Sequence, residues 1–187
     1  RSGIKSVSKQ YYLVSQLPDI SASGEKSTLP ITESYYRNLC SRFLEHSQLN
    51  ILNSMTLEAP RECVKTGSDF LDKWYDNERS LRFALYQIRA QKMKKDLPQI
   101  PFTIPGDIVQ AARTALGMDS PLSAEQFLFE YRISVLNNLQ PLDTFSTDYV
   151  YAYGIRLMLL ERMKKFDRVK GTESYHKIYE TILDGDR

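Results

Sequence analysis

Apolar residues recur along this chain at steps of three and four rather than two, and that spacing sorts most of the sequence into helices. The longest such stripe, Trp74, Glu78, Leu81, Leu85, Ile88 and Lys92, predicts a helix capped by Ser68 and running to about Lys95. Before it, Thr32 is placed to cap a helix of about four turns. Its apolar face uses Tyr36, Leu39, Cys40, Phe43 and Leu44, and His46 closes it. A second short helical stretch, Leu49 to Met55, precedes a break at Ala59 and Pro60. Beyond the long helix, Asp107 to Leu116 reads as a short helix of small residues, Ala111, Ala112 and Ala115, ending at Gly117.

The later starts are written in cap residues. Ser120 with Pro121, or alternatively a Ser123 and Gln126 capping box, opens a helix to about Leu139. Its stripe is Ala124, Leu128, Tyr131, Val135 and Leu139, and Pro141 forbids continuation. Ser146 or Thr147 caps the next helix, with Asp148 near the positive end of its dipole. From Tyr149 to Leu160 that helix is apolar on nearly every side, which predicts the central helix of the second half. Its basic end, ERMKKFDRVKG, finishes at Gly171. Thr172 then caps a last helix through Leu183, with Tyr175, Ile178, Tyr179 and Ile182 inward.

Other segments lack periodicity. YYLVSQL, ended by Pro18 and Asp19, is too short to separate strand from helix. SASGEKSTLP, Ser21 to Pro30, has the composition of a flexible loop, and residues 1–9 that of a flexible tail without an initiator Met. LPQIPFTIPG, with Pro98, Pro101 and Pro105, predicts an extended connector from Leu97 to Gly106. No stretch has the alternation or turn dipeptides of a sheet. The expectation is an all-α, multi-helix bundle in a single domain of 187 residues, with halves at about 10–96 and 107–184.

One feature of the long stripe demands explanation. Glu78 falls between Trp74 and Leu81, and a carboxylate there must be paired or lie at the rim, because burying a lone charge costs several kcal/mol. Arg82 is one turn on, and Arg79 and Arg89 are near. The sequence reading makes Glu78, Arg79, Arg82 and Arg89 structural ion-pair candidates, with Glu125 and Glu161 as facing carboxylates from the second half.

Composition narrows function mainly by exclusion. Lys plus Arg exceed Asp plus Glu by only 25 to 23, so nucleic acid is unsupported as a partner. The longest near-apolar run, Tyr149 to Leu160, contains Arg156 and falls short of the roughly 20 residues of a membrane helix. Direct membrane insertion is therefore not expected, and no signal-peptide core follows the basic start. Cys40 and Cys63 form no metal or disulfide motif, which suits a cytoplasmic protein. Cys40 reads as core, while Cys63 has the cations Arg61 and Lys65 nearby, the setting of a reactive thiol. Neither His46 nor His176 sits in a catalytic pattern, and no phosphate loop or Glu-x-x-His metal repeat occurs. No catalytic, cofactor or metal residues are expected, and no enzyme.

Two basic clusters end helices, Arg89 to Lys95 and Arg162 to Lys170. Dipole complementarity explains them at about 0.3 to 1 kcal/mol per cation. The alternative is an acidic partner or membrane surface, which makes Lys92, Lys94, Lys95, Arg162, Lys164 and Lys165 partner-docking candidates. The 12 tyrosines divide evenly, since Tyr is enriched at interfaces, yet Tyr149, Tyr151 and Tyr153 lie in a helix that must be mostly core.

Four segments carry a resemblance: YYLVSQLPDI, NERSLRFALYQIRAQKM, DSPLSAEQFLFEYRISVLNNL and FSTDYVYAYGIRLMLLERMKKF. Together they resemble an uncharacterised bacterial family encoded beside V-type ATP synthase subunits in spirochaetes and Bacteroides relatives, over most of the chain from Tyr11 onward. The resemblance implies a counterpart of the C (d-type) subunit, the all-helical socket between rotor ring and central stalk. It implies a non-catalytic accessory role with other V-type ATPase subunits as partners, no cofactor, and a cytoplasmic location peripheral to the membrane. The alternative is a helical adaptor or assembly factor unconnected with rotation.

Overall fold

A computed structural model describes residues 10–20, 29–60, 62–95 and 103–166. Among these the chain is all-helical and contains no strand. A short helix at residues 10–16 (α1) is followed by Glu33–Ser41 (α2), His46–Ser54 (α3), Asp69–Lys92 (α4), Gly106–Leu116 (α5), Pro121–Leu139 (α6) and Thr147–Lys164 (α7). The segment YYLVSQL, ambiguous by pattern, is thus helical. The expected last helix, Gly171 and the connector residues 97–102 lie outside the described residues, while Thr103 to Pro105 are non-helical.

Local chemistry sets most boundaries. Thr32 and Ser146 cap α2 and α7 by accepting from the amides of Tyr35 and Tyr149. Pro121 occupies the first turn of α6 and Ser120 its N-cap, as the first of the two expected starts has it, but without a side-chain hydrogen bond, and Ser123 lies inside the helix. α4 ends at Lys92, three residues earlier than expected, in a complete Schellman turn. Lys94 takes φ 52°, its amide donates to the Gln91 carbonyl, and Lys95 reaches back to Ala90.

The expected helix through His46 is corrected. α2 stops at Ser41, and the chain turns through Arg42 and Phe43 although Phe43 and Leu44 still face inward. Glu45 is extended and forms a capping box with Gln48, so His46 opens α3 instead of closing α2, and α3 begins before Leu49. The hydrophobic spacing runs through a turn that is made by capping.

Packing forms two clusters. The larger gathers Leu13, Tyr36, Leu39, Leu52, Phe70, Trp74, Leu136 and most of the buried face of α7. The smaller holds Leu81, Ala84, Leu85, Ile108, Ala112, Ala115 and Leu128, from α4, α5 and α6. Both draw residues from either side of the proline-rich segment, so the sequence halves are not separate packing units. α7, expected to be central to the second half, is central to a cluster built largely by the first. On α6 the buried positions are Leu128 and Leu136, with Tyr131, Val135 and Leu139 only partly covered.

Candidate functional site

Where α4 crosses α6 lies the one carboxylate buried among the described residues. Glu78 accepts two hydrogen bonds from Arg132, Nε to Oε1 at 2.6 Å and Nη2 to Oε2 at 3.2 Å, in the forked geometry that suits guanidinium and carboxylate. Glu78 is 1% exposed, so the pair is desolvated and its geometry decides whether it stabilises at all. Trp74, one turn before Glu78, belongs to the large cluster, and Leu81, one turn after it, to the small one. Leu136 and Leu128 flank Arg132 in the same two clusters. The pair is a charged partition between two apolar compartments.

The expected partners of Glu78 are employed elsewhere. Arg79 pairs with Asp76 at 2.5 Å and reaches the Pro60 carbonyl at 3.4 Å. Arg82 lies 3.5 Å from Glu58, and Arg89 is exposed. Glu125 meets Arg162 at 3.5 Å. Glu161 accepts at 2.7 Å from the amide of Glu33, so this α7 carboxylate completes the N-terminus of α2. Asp148 does the same for α4, taking bonds from Ser68 Oγ at 2.6 Å and the Phe70 amide at 3.1 Å, while Ser68 Oγ accepts from Leu71. Arg37, bound to Glu33, donates to the carbonyls of Leu52 and Met55 at the end of α3.

Among the docking candidates, Lys92 donates to the Leu116 carbonyl at 2.7 Å, satisfying the C-terminus of α5. Lys94 and Lys95 build the turn after α4, and both are exposed. Arg162 and Lys164 are half-buried in the last turn of α7, and Lys165 is its exposed C-cap. The first basic end is thus partly spent on a helix terminus, through Lys92, and the second on an ion pair, through Arg162.

The buried tyrosines are tethers. Tyr36 donates to the Val150 carbonyl at 2.6 Å, Tyr151 to Gln48 at 3.0 Å and Tyr153 to Pro18 at 2.8 Å. Tyr36 stacks on Tyr153 with ring centroids 5.7 Å apart. A methyl at Gly154 would sit 2.6 Å from Met55 Cε and 2.7 Å from Tyr36 Oη, so only glycine admits this approach. Burial raises the hydroxyls of Tyr36, Tyr151 and Tyr153 and pushes the Cys40 thiol up to about 12. Cys40 is buried core; Cys63 is exposed, and nearby Lys65 reaches instead toward Asp72, at 3.6 Å. His46 is exposed.

Two surface hollows have distinct chemistry. One, of about 220 Å³, lies between α1 and α7, with Asp19, Tyr149, Tyr153 and Arg156 in its walls. Arg156 there is held by Asn137 and Gln140, and burial lowers its pKa. The other, of about 450 Å³, runs along the outer face of α4 between Ala59, Pro60, Arg79, Arg82, Phe83 and Tyr86. Among the described residues no cluster of three or more His, Cys, Asp or Glu is arranged to hold a metal ion, and no helix is long and apolar enough to cross a membrane.

Sequence reasoning missed Arg132. A signal for it existed, because Arg132 sits four residues after Leu128 and four before Leu136, interrupting a stripe on α6 as Glu78 interrupts the one on α4.

No protein-family model matches this chain, and neither does any curated protein or any solved structure.

Proposed function

We propose that this chain is a non-catalytic accessory or C-like (d-type) central-stalk subunit of a V-type ATPase, coupling or assembling the rotor at the cytoplasmic face of the membrane. One observation carries the reading. The four segments that resemble the ATPase-linked family build four of the interlocked helices: YYLVSQLPDI supplies α1 and the carbonyl that Tyr153 holds, NERSLRFALYQIRAQKM most of α4, and the two closing segments α6 and α7. Polar side chains within them fix one helix against another, through Glu78 with Arg132, Asp148 with Ser68, and Glu161 with the start of α2. A part that transmits torque or holds subunits in register needs such cross-bracing, and it needs no reaction centre.

A pull-down of the tagged chain from its native membranes, with subunits quantified by mass spectrometry, tests the proposal. Stoichiometric recovery of V-type ATPase subunits is expected. Substoichiometric recovery would favour an assembly factor, and recovery of none of them would leave a helical adaptor unconnected with rotation.

A further inference from the structure

From Arg79 to Lys95 the long helix and the turn that ends it carry Arg79, Arg82, Arg89, Lys92, Lys94 and Lys95 and no carboxylate. Helical spacing places Arg82, Tyr86, Arg89 and Met93 on one stripe, with Phe83 beside it. That stripe faces outward. Tyr86 is 51% exposed, Met93 65% and Phe83 38%, whereas Leu81, Ala84 and Leu85 on the opposite side are buried. The hollow of about 450 Å³ lies at its start, floored by Ala59, Pro60 and the two aromatic rings. Among the described residues carboxylates engage only its near edge, Asp76 of α4 itself on Arg79 and Glu58 of the preceding loop on Arg82 at 3.5 Å.

We infer that the outer face of α4 is a docking site for an acidic amphipathic helix of a partner protein. Apolar side chains of that helix enter the hollow against Phe83 and Tyr86. Its carboxylates meet Arg82 and Arg89, whose Cα atoms lie about 10.5 Å apart at 1.5 Å per residue. The same rise gives a helical partner acidic residues seven apart with apolar residues three and four places in from the first. Charge complementarity decides the occupant's sign, and the aromatic floor argues for a side chain that buries carbon rather than for a phosphate backbone. Another exposed aromatic group, Tyr11, Tyr12 and Phe145, has no comparable run of cations beside it among the described residues. The inference is independent of the stalk reading, because an acidic helix of any assembly meets the same face.

The probe is a fluorescent, helix-stapled peptide with Glu at positions one and eight and Leu at four and five of its core, titrated by anisotropy against the full chain. A second peptide has Lys in place of both Glu. The Glu peptide is expected to bind at least tenfold tighter than the Lys peptide and to weaken as salt is raised. Arg82→Glu with Arg89→Glu should reverse that preference, Tyr86→Ser should weaken binding tenfold or more, and Tyr12→Ser should leave it unchanged. Far-UV circular dichroism of each variant verifies the fold. Equal binding of both peptides, or a preference that survives charge reversal, overturns the inference. An oligouridylate that binds as tightly as the Glu peptide and competes with it assigns the face to nucleic acid instead, and concentration-dependent dimerisation abolished by Tyr86→Ser assigns it to a second copy.

Discussion

The two apolar compartments reach close packing by different routes. In the large one, α7 is drawn against α1, α2 and α3 by tyrosine hydroxyls bound to main-chain carbonyls, and Gly154 lets Tyr36 in. In the small one, α5 lies against α4 and α6 through Ala112 and Ala115, with no tyrosine tether of that kind among the described residues. The first route fixes direction as well as distance, because a hydrogen bond has an angle to satisfy. The second fixes distance alone. Cross-bracing is therefore concentrated around α7, and the α4–α5–α6 side holds its arrangement by shape, by the Lys92 bond to the Leu116 carbonyl and by the ion pair at its border.

Removing the border should have the largest effect. Glu78→Ala leaves Arg132 charged and largely covered, and urea denaturation should report a loss of about 3 to 5 kcal/mol. A loss below about 0.5 kcal/mol would show that the pair is not desolvated in solution. Replacing both partners by Met should recover most of the loss, since an apolar pair of similar volume carries no desolvation penalty.

Gly154→Ala probes the tethered compartment. Alanine gains about 1 kcal/mol in helix propensity over glycine, yet the clash with Tyr36 and Met55 should leave a net cost of about 1 to 3 kcal/mol. Net stabilisation would mean that α2 and α7 can separate without loss, removing the contrast between the compartments.

The same compartment should fail first in base. Burial raises the Cys40 thiol to about 12 from its ordinary 9.0, so above pH 9 the unfolded chain releases a proton that the folded chain keeps. This stabilisation is complete below pH 9 and is lost as pH rises toward 12, by at most about 1.4 kcal/mol per pH unit for one proton. The hydroxyls of Tyr36, Tyr151 and Tyr153, also raised, add to the loss at higher pH. Denaturation midpoints between pH 8 and 11 should fall, and less steeply in Cys40→Ala. A flat profile would contradict the burial of these groups.

The smallest effect is expected at the end of α4. Lys94 holds a left-handed conformation that costs a side chain about 1 to 2 kcal/mol, so Lys94→Gly should stabilise by about 0.5 to 1 kcal/mol after glycine's greater unfolded-state entropy is offset. Thermal unfolding reads the shift, and destabilisation would argue that the Schellman turn is not held in solution.

Much of this was legible in the sequence, because cap residues and periodicity are local. Thr32, Ser68 and Ser146 act as their types predict, and the charge at Glu78 announced a specified contact. The break after Ser41 was not legible, since no glycine or proline marks it and a glutamate is an unusual N-cap. The identity of Glu78's partner was hidden for a different reason. α6 is covered on several sides, so a single stripe through Tyr131 and Val135 placed Arg132 among its polar residues, although its side chain is 12% exposed. Local patterns tell which residues must be inside, and only the crossing of two helices tells which of them meet.

The charged partition has a consequence for how this protein can vary over generations. Volume lost on one side of Glu78 and Arg132 cannot be restored by a larger side chain on the other, because the intervening pair has no room to move without losing its fork. Compensating substitutions should therefore be confined within each compartment, so that one chain carries two cores that drift separately and a single ionic contact inherited as a unit.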